Sequence, residues 1–242
     1  NGWTLVGGSG SGNDVLKGGA AADIITGGAA IDTITGNGGI DTITGGAGND
    51  IITGGAGNDI ITVDAGTDTV LDLGGAAGNE DDVVIVNAGA TLDATGIAGF
   101  TATNVTTNKS TDASKATLTA KGNAAVTIDV SGAKSDSKGW TLVGGSGTGD
   151  DVLKGGAGAD IITGGAAADT ITGNAGDDTI TGGAGDDIIT GGTGNDIITV
   201  DSGTDKVLDL GGASGGESDV VIVNAGATLD ATDIVSFTAT SA

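Results

Sequence analysis

The fold is decided by two consecutive nine-residue units, Gly45-Gly46-Ala47-Gly48-Asn49-Asp50-Ile51-Ile52-Thr53 and Gly54-Gly55-Ala56-Gly57-Asn58-Asp59-Ile60-Ile61-Thr62. Each unit begins with small residues, carries a carboxylate at its sixth position and ends on three β-branched residues. Glycine accepts positive φ and lets another backbone approach closely, which favours a tight turn, whereas β-branched residues favour a strand. One unit is therefore predicted to form a turn and a strand, and two units form one coil of a β-solenoid.

Aspartates in units two apart are expected to stack, with about 4.8 Å between them along the solenoid axis. Two unit charges at that distance repel each other by on the order of 1 kcal/mol in water, and by several at an effective dielectric of about 20. A row of such contacts requires cations between the coils. Calcium binds roughly six to eight oxygen ligands, among them carboxylates and backbone carbonyls, so calcium is the predicted ion.

The unit occurs fourteen times, and every occurrence has both the aspartate and an aliphatic residue at the eighth position. The aspartates, predicted to bind metal, are Asp14, Asp23, Asp32, Asp41, Asp50, Asp59 and Asp68 in one series and Asp151, Asp160, Asp169, Asp178, Asp187, Asp196 and Asp205 in another. The aliphatic residues, predicted to point inward, are Leu16, Ile25, Ile34, Ile43, Ile52, Ile61, Val70, Leu153, Ile162, Ile171, Ile180, Ile189, Ile198 and Val207. A flexible glycine linker has no reason to keep an aliphatic residue in phase.

Departures from the unit fall at its glycines. Alanine replaces the fourth-position glycine at Ala21, Ala30 and Ala167, and asparagine replaces the second-position glycine at Asn37 and Asn174. Alanine is expected to keep a negative φ, whereas asparagine tolerates a positive φ better than most residues. These changes alter the loop slightly but leave the predicted ligands in place.

A longer repeat divides the chain, because Gly2-Trp3-Thr4-Leu5-Val6 returns as Gly139-Trp140-Thr141-Leu142-Val143 and the offset holds to the C-terminus. The predicted organisation is a first roll with a lead-in strand at 1–71, a β cap at 72–103, a β-rich spacer at 104–138, a second roll at 139–208 and a second cap at 209–242. Cap strands are predicted at Val83–Val86, Ala90–Ala94 and Phe100–Thr103, the last matched by Phe237–Thr240, after an acidic loop at Asn79–Asp82. Spacer strands are predicted at Ala116–Lys121 and Ala124–Val130, around a hairpin-type turn at Gly122-Asn123.

Composition excludes several classes of function. The formal charge of −24, without a basic stripe, argues against nucleic-acid binding, and the absence of a long apolar run argues against membrane insertion. Without histidine or cysteine there is no ordinary zinc site and no Ser-His or Cys-His nucleophile. The chain is therefore predicted not to be an enzyme. It begins at Asn1 and has no methionine, which indicates a fragment or a processed product.

The outward strand positions allow two interpretations. Along one face the seventh position reads Ile24, Thr42 and Ile60. These residues reflect strand propensity alone, or the isoleucines form a stripe that docks against a neighbouring chain.

The nonapeptide resembles the RTX repeat, the haemolysin-type calcium-binding repeat of proteins exported by type I secretion, over residues 9–71 and 146–208. The resemblance implies an all-β fold, a right-handed parallel β-roll, with each ion between two loops 18 residues apart and held by both aspartates and by loop carbonyls. The implied pairs are Asp14/Asp32, Asp23/Asp41, Asp32/Asp50, Asp41/Asp59 and Asp50/Asp68, with five equivalents in the second roll. The implied carbonyls belong to Gly46, Gly48, Gly55, Gly57, Gly183, Gly185, Gly192 and Gly194. About ten Ca²⁺ ions would nearly neutralise the chain.

The favoured function is a calcium-dependent structural repeat module of a secreted cell-surface protein: a surface layer, a matrix fibre or an adhesin stalk. The expected location is extracellular, on a bacterial surface, and the expected partners are calcium and further copies of the chain or neighbouring repeats in an array. The alternative is the non-catalytic folding and secretion region of a type I-secreted exoenzyme or toxin. The long duplication favours the array, since array proteins gain length by copying units.

Overall fold

The computed structural model describes residues 1–73, 82–88, 90–102, 106–109, 116–120, 123–134, 138–210 and 217–232, and regular structure within them is all β-strand. The first roll contains β1 (Thr4–Val6), β2 (Val15–Lys17), β3 (Ile24–Gly28), β4 (Thr33–Gly38), β5 (Thr42–Gly46), β6 (Ile51–Ala56), β7 (Ile60–Val63) and β8 (Gly66–Val70). The first cap and the spacer contain β9 (Val83–Val86), β10 (Ala90–Ile97), β11 (Phe100–Thr101), β12 (Thr107–Asn108), β13 (Ala116–Ala120) and β14 (Thr127–Asp129). The second roll and cap contain β15 (Thr141–Val143), β16 (Val152–Lys154), β17 (Ile161–Ala166), β18 (Thr170–Ala175), β19 (Thr179–Ala184), β20 (Ile188–Thr193), β21 (Ile197–Val200), β22 (Gly203–Leu208), β23 (Val220–Val223) and β24 (Ala227–Thr232).

The strands pair in parallel and form three sheets. The first sheet has the order β1-β3-β5-β7-β9-β12, the central sheet β2-β4-β6-β8-β10-β13-β15-β17-β19-β21-β23, and the third sheet β11-β14-β16-β18-β20-β22-β24. Successive strands of a roll lie in opposite sheets, so the chain winds from one sheet to the other along each roll. The parallel β-roll predicted from the nonapeptide is thus confirmed.

Coils within the rolls repeat every 18 residues and stack one file of aliphatic side chains on each of the two sheets of a roll. In the first sheet Ile25 lies beside Ile43, and Ile43 beside Ile61. Side chains alternate across a strand, so the eighth-position residue points inward while its neighbours point outward. Thirteen of the fourteen predicted inward residues are buried, and Leu16, in the edge strand β2, is partly buried. The core is therefore narrow, in keeping with the few large side chains in the sequence.

The cap and the spacer continue the solenoid with wider, three-sided coils. β9, β10 and β11 lie in the first, central and third sheets, and β12, β13 and β14 repeat that order. β13 then pairs with β15, and β14 with β16. The first strands of the second roll therefore pair directly with strands of the spacer, and the central sheet continues through both rolls without a break.

The hairpin-type turn predicted at Gly122-Asn123 is wrong. β13 pairs in parallel with β10 and β15, whereas β14 pairs in parallel with β11 and β16. Two short strands joined by small residues suit a corner between two faces of a coil as well as a hairpin, and the sequence does not distinguish them. Gly122 itself lies outside the described residues, as do Asn79, Glu80 and Asp81 of the acidic loop, Thr103, Lys121 and the strand expected at 237–240.

Isoleucine and threonine alternate on the outer faces of the rolls as predicted. Ile24 lies beside Thr42, and Thr42 beside Ile60. Both isoleucines are exposed, but the threonine separates them, so this face carries isolated apolar side chains rather than a continuous stripe. Nothing in the described ranges is a helix with the length and apolarity needed to span a membrane.

Candidate metal centre

The sixth-position aspartates form a ladder along each edge of the rolls. In each predicted pair, the Oδ1 atom of the later aspartate accepts the backbone N–H of the aspartate 18 residues earlier, as from Asp160 to Asp178 at 2.7 Å and from Asp178 to Asp196 at 2.9 Å. All ten predicted pairs are joined in this way. One carboxylate oxygen per aspartate is thereby satisfied, and it fixes the stacking of one loop on the next.

The second oxygen of most of these carboxylates is buried without a partner. Ten Oδ2 atoms have neither solvent contact nor a hydrogen-bond donor: those of Asp32, Asp41, Asp50, Asp59, Asp68, Asp169, Asp178, Asp187, Asp196 and Asp205. A charged group buried without compensation is costly, so such groups neutralise, pair or coordinate a metal. Ten free oxygens also equal the ten pairs predicted from the sequence, although the number of bound ions stays a prediction.

A backbone carbonyl of the next coil lines the space beside four of the ten free oxygens, those of Asp32, Asp41, Asp169 and Asp178. A Cβ atom built on Gly36 would lie 2.2 Å from Asp41 Oδ2 and 2.4 Å from the carbonyl oxygen of Gly54. In the second roll, a Cβ atom on Gly173 would lie 2.2 Å from Asp178 Oδ2 and 2.4 Å from the Gly191 carbonyl oxygen. Glycine is required at Gly36 and Gly173 because a side chain would fill the space that these two oxygens share. Those first-position carbonyls are candidate ligands that the sequence reasoning missed.

The predicted carbonyl donors lie near the ends of β5, β6, β19 and β20 and in the loops that follow them. Their backbone has a positive φ, which favours glycine. Gly55 has φ of +106°, and a Cβ atom there would lie 2.0 Å from the carbonyl oxygen of Asn37 in the preceding coil. The other predicted donors share a positive φ: Gly46, Gly48, Gly57, Gly183, Gly185, Gly192 and Gly194. The Gly46 carbonyl accepts the N–H of Ala65 at 3.2 Å. The positions are as the motif requires, and their role as ligands stays a prediction.

The substituted loop positions behave as expected. Asn37 and Asn174 both adopt φ of +78°, and neither Ala21, Ala30 nor Ala167 has a positive φ. Each asparagine also donates its side-chain amide to a first-position carbonyl in the preceding coil: Asn37 to Gly18 and Asn174 to Gly155, both at 2.7 Å. Asparagine therefore supplies a bond between coils that glycine lacks.

In the first coil of each roll, the second carboxylate oxygen of each aspartate already accepts a nearby backbone N–H. Asp23 Oδ2 accepts the N–H of Gly19 at 2.6 Å, and Asp160 Oδ2 accepts that of Gly156 at 2.7 Å. Asp14 and Asp151 bind Gly8 and Gly145 in the same way. For Asp23 and Asp160 the donor is the second-position glycine, which lacks a positive φ. For Asp14 and Asp151 the donor is a glycine six residues before the aspartate. These four aspartates have a weaker case as metal ligands than the other ten.

Burial raises the pKa of the free carboxylates. The pKa rises from 3.8 to about 8 for Asp178 and to about 7 for Asp59, in both cases because burial disfavours the charged form, with neighbouring aspartates adding to the effect. Burial likewise raises the pKa of Asp68, Asp169 and Asp196 to about 6. In contrast, the N–H groups of Gly19 and Trp3 lower the pKa of Asp23. Burial also raises the pKa of Asp160 to about 6, although that carboxylate accepts the N–H groups of Trp140 and Gly156. Burial of the charge therefore sets how much a bound cation would matter at each carboxylate.

The donor set fits a hard cation held by oxygen. The described residues contain no group of three or more His, Cys, Asp or Glu side chains that could hold a metal. The spaces beside Asp32, Asp41, Asp169 and Asp178 instead combine a carboxylate oxygen with a backbone carbonyl oxygen of the next coil, which is the ligand chemistry of Ca²⁺ rather than of Zn²⁺. Calcium bound there would supply the positive charge that the buried carboxylates lack.

Fifth-position side chains form a second ladder that the sequence reasoning missed. Asn49 Oδ1 accepts the N–H of Thr67 at 2.9 Å, and Asp186 Oδ1 accepts that of Thr204 at 2.8 Å. The Asp177 carboxylate does the same for Asn195. The sequence signal for this ladder is the asparagine or aspartate that stands just before the sixth-position aspartate. The ladder of sixth-position aspartates also extends past the rolls, because Asp82 accepts from Asp59 and Asp219 from Asp196.

Replacing Asp178 with asparagine tests the free oxygen directly. The asparagine amide would keep an oxygen for the Asp160 N–H but lose the anionic Oδ2, so we expect one or two fewer bound Ca²⁺ ions per chain by equilibrium dialysis and metal analysis. Asp177→Asn is the matched control, since its oxygen for Asn195 remains and it should bind calcium as the parent does. Equal calcium content in both variants would contradict the assignment.

The raised pKa values predict an acid-favoured fold when calcium is removed. A carboxyl whose pKa is raised from 3.8 to between about 6 and 8 binds its proton more tightly in the folded chain than in the unfolded one. Its stabilising contribution is full below pH about 4 and is lost as the pH rises through 6 to 8. Calcium-free protein should therefore gain strand signal in far-ultraviolet circular dichroism from pH 8 to pH 5. A loss of strand signal over that range would show that other groups dominate.

Comparison with known protein families agrees with this geometry. A family model described as the RTX calcium-binding nonapeptide repeat matches four times, at residues 4–34, 35–70, 141–180 and 172–207, which together make up more than half of the chain. No curated protein matches the chain. Repeats of this family are structural calcium-binding units. With stacked loops, partner-free carboxylates and four family matches, the chain belongs to the RTX calcium-binding repeat family.

Proposed function

We propose that the chain is a calcium-dependent structural module of a secreted cell-surface protein, such as a surface layer, a matrix fibre or an adhesin stalk. The observation that carries this proposal is the central sheet, whose eleven strands pass from the first roll through cap and spacer into the second roll. At about 4.8 Å per strand, that sheet is roughly 50 Å long. A continuous solenoid transmits force and spans distance, which suits a stalk or lattice element.

Calcium supplies the folding free energy outside the cell. The partner-free carboxylates lie together only in the folded roll, so binding free energy becomes folding free energy. Without the ion, the burial cost of those carboxylates and the net charge of −24 both oppose the roll. About ten bound ions would offset most of that charge. In a calcium-poor cytosol the chain then stays unfolded and competent for export.

The alternative assigns the same rolls to the folding and secretion region of an exoenzyme or toxin. The described joint favours the array, since the spacer fits both the cap before it and the roll after it. The flanking sequence of the parent gene discriminates between them. Further copies of the 137-residue repeat support the array, and a catalytic or pore-forming domain supports the exoenzyme.

Chelation tests the proposal. Circular dichroism of the chain at pH 7.4 should show a strand spectrum in millimolar calcium and a largely unfolded spectrum after EGTA, with recovery when calcium is restored. Magnesium at the same concentration is the matched control and should restore little, because it demands near-octahedral geometry and dehydrates reluctantly. A strand spectrum that ignores the chelator would rule out calcium-driven folding.

A further inference from the structure

The two copies of the lead-in strand differ sharply in burial. Trp3, just before β1, is 57 % exposed, whereas its counterpart Trp140 is 1 % exposed. β1 and β2 are the edge strands of the first and central sheets, but the equivalent strands β15 and β16 are covered by β13 and β14. The same sequence is therefore an open edge in the first copy and an interior joint in the second.

Glycines in the opening loop show what fits that edge. A Cβ atom on Gly147 would lie 2.2 Å from the Cα of Asn123, and one on Gly149 would lie 2.2 Å from the backbone N of Ala125. Their counterparts 137 residues earlier, Gly10 and Gly12, have nothing within 4 Å. Nothing in the described neighbourhood of Gly10 and Gly12 requires glycine there. A spacer packed there as it packs against Gly147 and Gly149 would require glycine at both positions.

Hydrogen bonds and charge fix the seated spacer in the joint. The N–H of Val126 donates to Asp151 Oδ1 at 2.8 Å, which starts the aspartate ladder of the second roll. The Lys154 ammonium contacts the Asp129 carboxylate at 3.0 Å. Residues 106–138 hold five lysines against three aspartates, although the whole chain carries −24. A net positive segment thus lies between two strongly acidic rolls.

The opposite end has the complementary difference. In the first cap Val83, Val84 and Val86 of β9 are buried, and β12 of the spacer pairs with that strand. In the second cap the counterparts Val220 and Val223 of β23 are about half exposed. The spacer therefore covers the cap before it and the lead-in strand after it, whereas the counterparts of those two surfaces, at β23 and at Trp3, are exposed.

We propose that the open N-terminal edge, formed by Trp3, β1, the loop at 7–14 and β2, is a docking surface for another segment of the spacer type, residues 106–138, so that modules join as one unbroken solenoid. This inference rests on the proposed function, because an array is what the joint would extend. Edge strands left open are also prone to unwanted pairing, and a spacer removes that edge.

An extended chain tests the docking. Residues 1–137 are joined ahead of Asn1, where Asn1-Gly2-Trp3 takes the place of Lys138-Gly139-Trp140. The tryptophan of the added copy and Trp140 are both replaced by phenylalanine, so that Trp3 is the one tryptophan whose quenching is measured. In calcium, acrylamide quenching of Trp3 should fall several-fold, to the level of Trp140 in the 242-residue chain carrying Trp3→Phe. Quenching that stays at the level of the 242-residue chain carrying Trp140→Phe would overturn the proposal.

Gly12→Val supplies the specific control. In the 242-residue chain it should change neither the unfolding midpoint nor the quenching of Trp3, since the space around Gly12 is open. In the extended chain it should expose Trp3 again, as Gly149→Val should expose Trp140 in the original joint. Protection of Trp3 that survives Gly12→Val would contradict seating of the spacer turn.

The remaining outcomes separate this inference from the proposed function. A protected Trp140 with an exposed Trp3 overturns the docking surface alone. Exposure of both tryptophans in calcium, with no strand spectrum, overturns the proposed function and this inference together. Protection of Trp3 in the unextended chain that increases with protein concentration would assign the edge to a second chain and overturn the spacer as its occupant.

Discussion

Each free carboxylate oxygen in the rolls is buried in a space bordered by backbone and has no hydrogen-bond donor of its own. The rest of the structure depends on how that charge is balanced. Oδ1 of each aspartate bonds the loop before it, which brings the loops into register, and that register is what buries Oδ2. The hydrogen bond that orders the ladder therefore also buries the charge that a cation must balance. Formation of the roll and binding of the ion are coupled for this reason.

Glycine makes this arrangement geometrically possible. First-position glycine leaves the space that carboxylate and carbonyl oxygens share, as at Gly36, and second- and fourth-position glycine allow the loops to stack, as at Gly55. Where the second-position N–H faces the carboxylate instead, as at Asp23 and Asp160, the oxygen is satisfied. The pKa of Asp23 is then lowered, whereas burial still raises the pKa of Asp160 to about 6. At Gly19 the second-position N–H thus closes its loop, whereas the loop of Gly55, whose φ is positive, stays open beside Asp59.

Much of the roll follows from periodicity. The spacing of Ile25, Ile43 and Ile61 predicts their stacking, and the spacing of Asp160 and Asp178 predicts their contact, because a repeat of 18 residues leaves few ways to pair strands. Spacing does not say which atoms meet. It therefore missed the N–H to Oδ1 bond, the first-position carbonyls and the fifth-position ladder of Asn49 and its equivalents.

The spacer was less predictable because it occurs once and has no internal repeat. Its strands β13 and β14 were expected from β-branched residues. Their parallel pairing with strands of neighbouring coils was not expected, because a corner between two faces and a hairpin use similar residues. The difference in burial between Trp3 and Trp140 is likewise invisible in the sequence, which is nearly identical around both. Only the neighbours in space distinguish an open edge from a joint.

The most direct test of the central claim is a crystal structure of the calcium-loaded chain with anomalous diffraction data. Anomalous difference peaks should lie beside the free Oδ2 atoms, each within about 2.3–2.6 Å of that oxygen and of loop carbonyl oxygens. Peaks absent from between the coils, with the carboxylates bound to water or turned to solvent, would contradict the account.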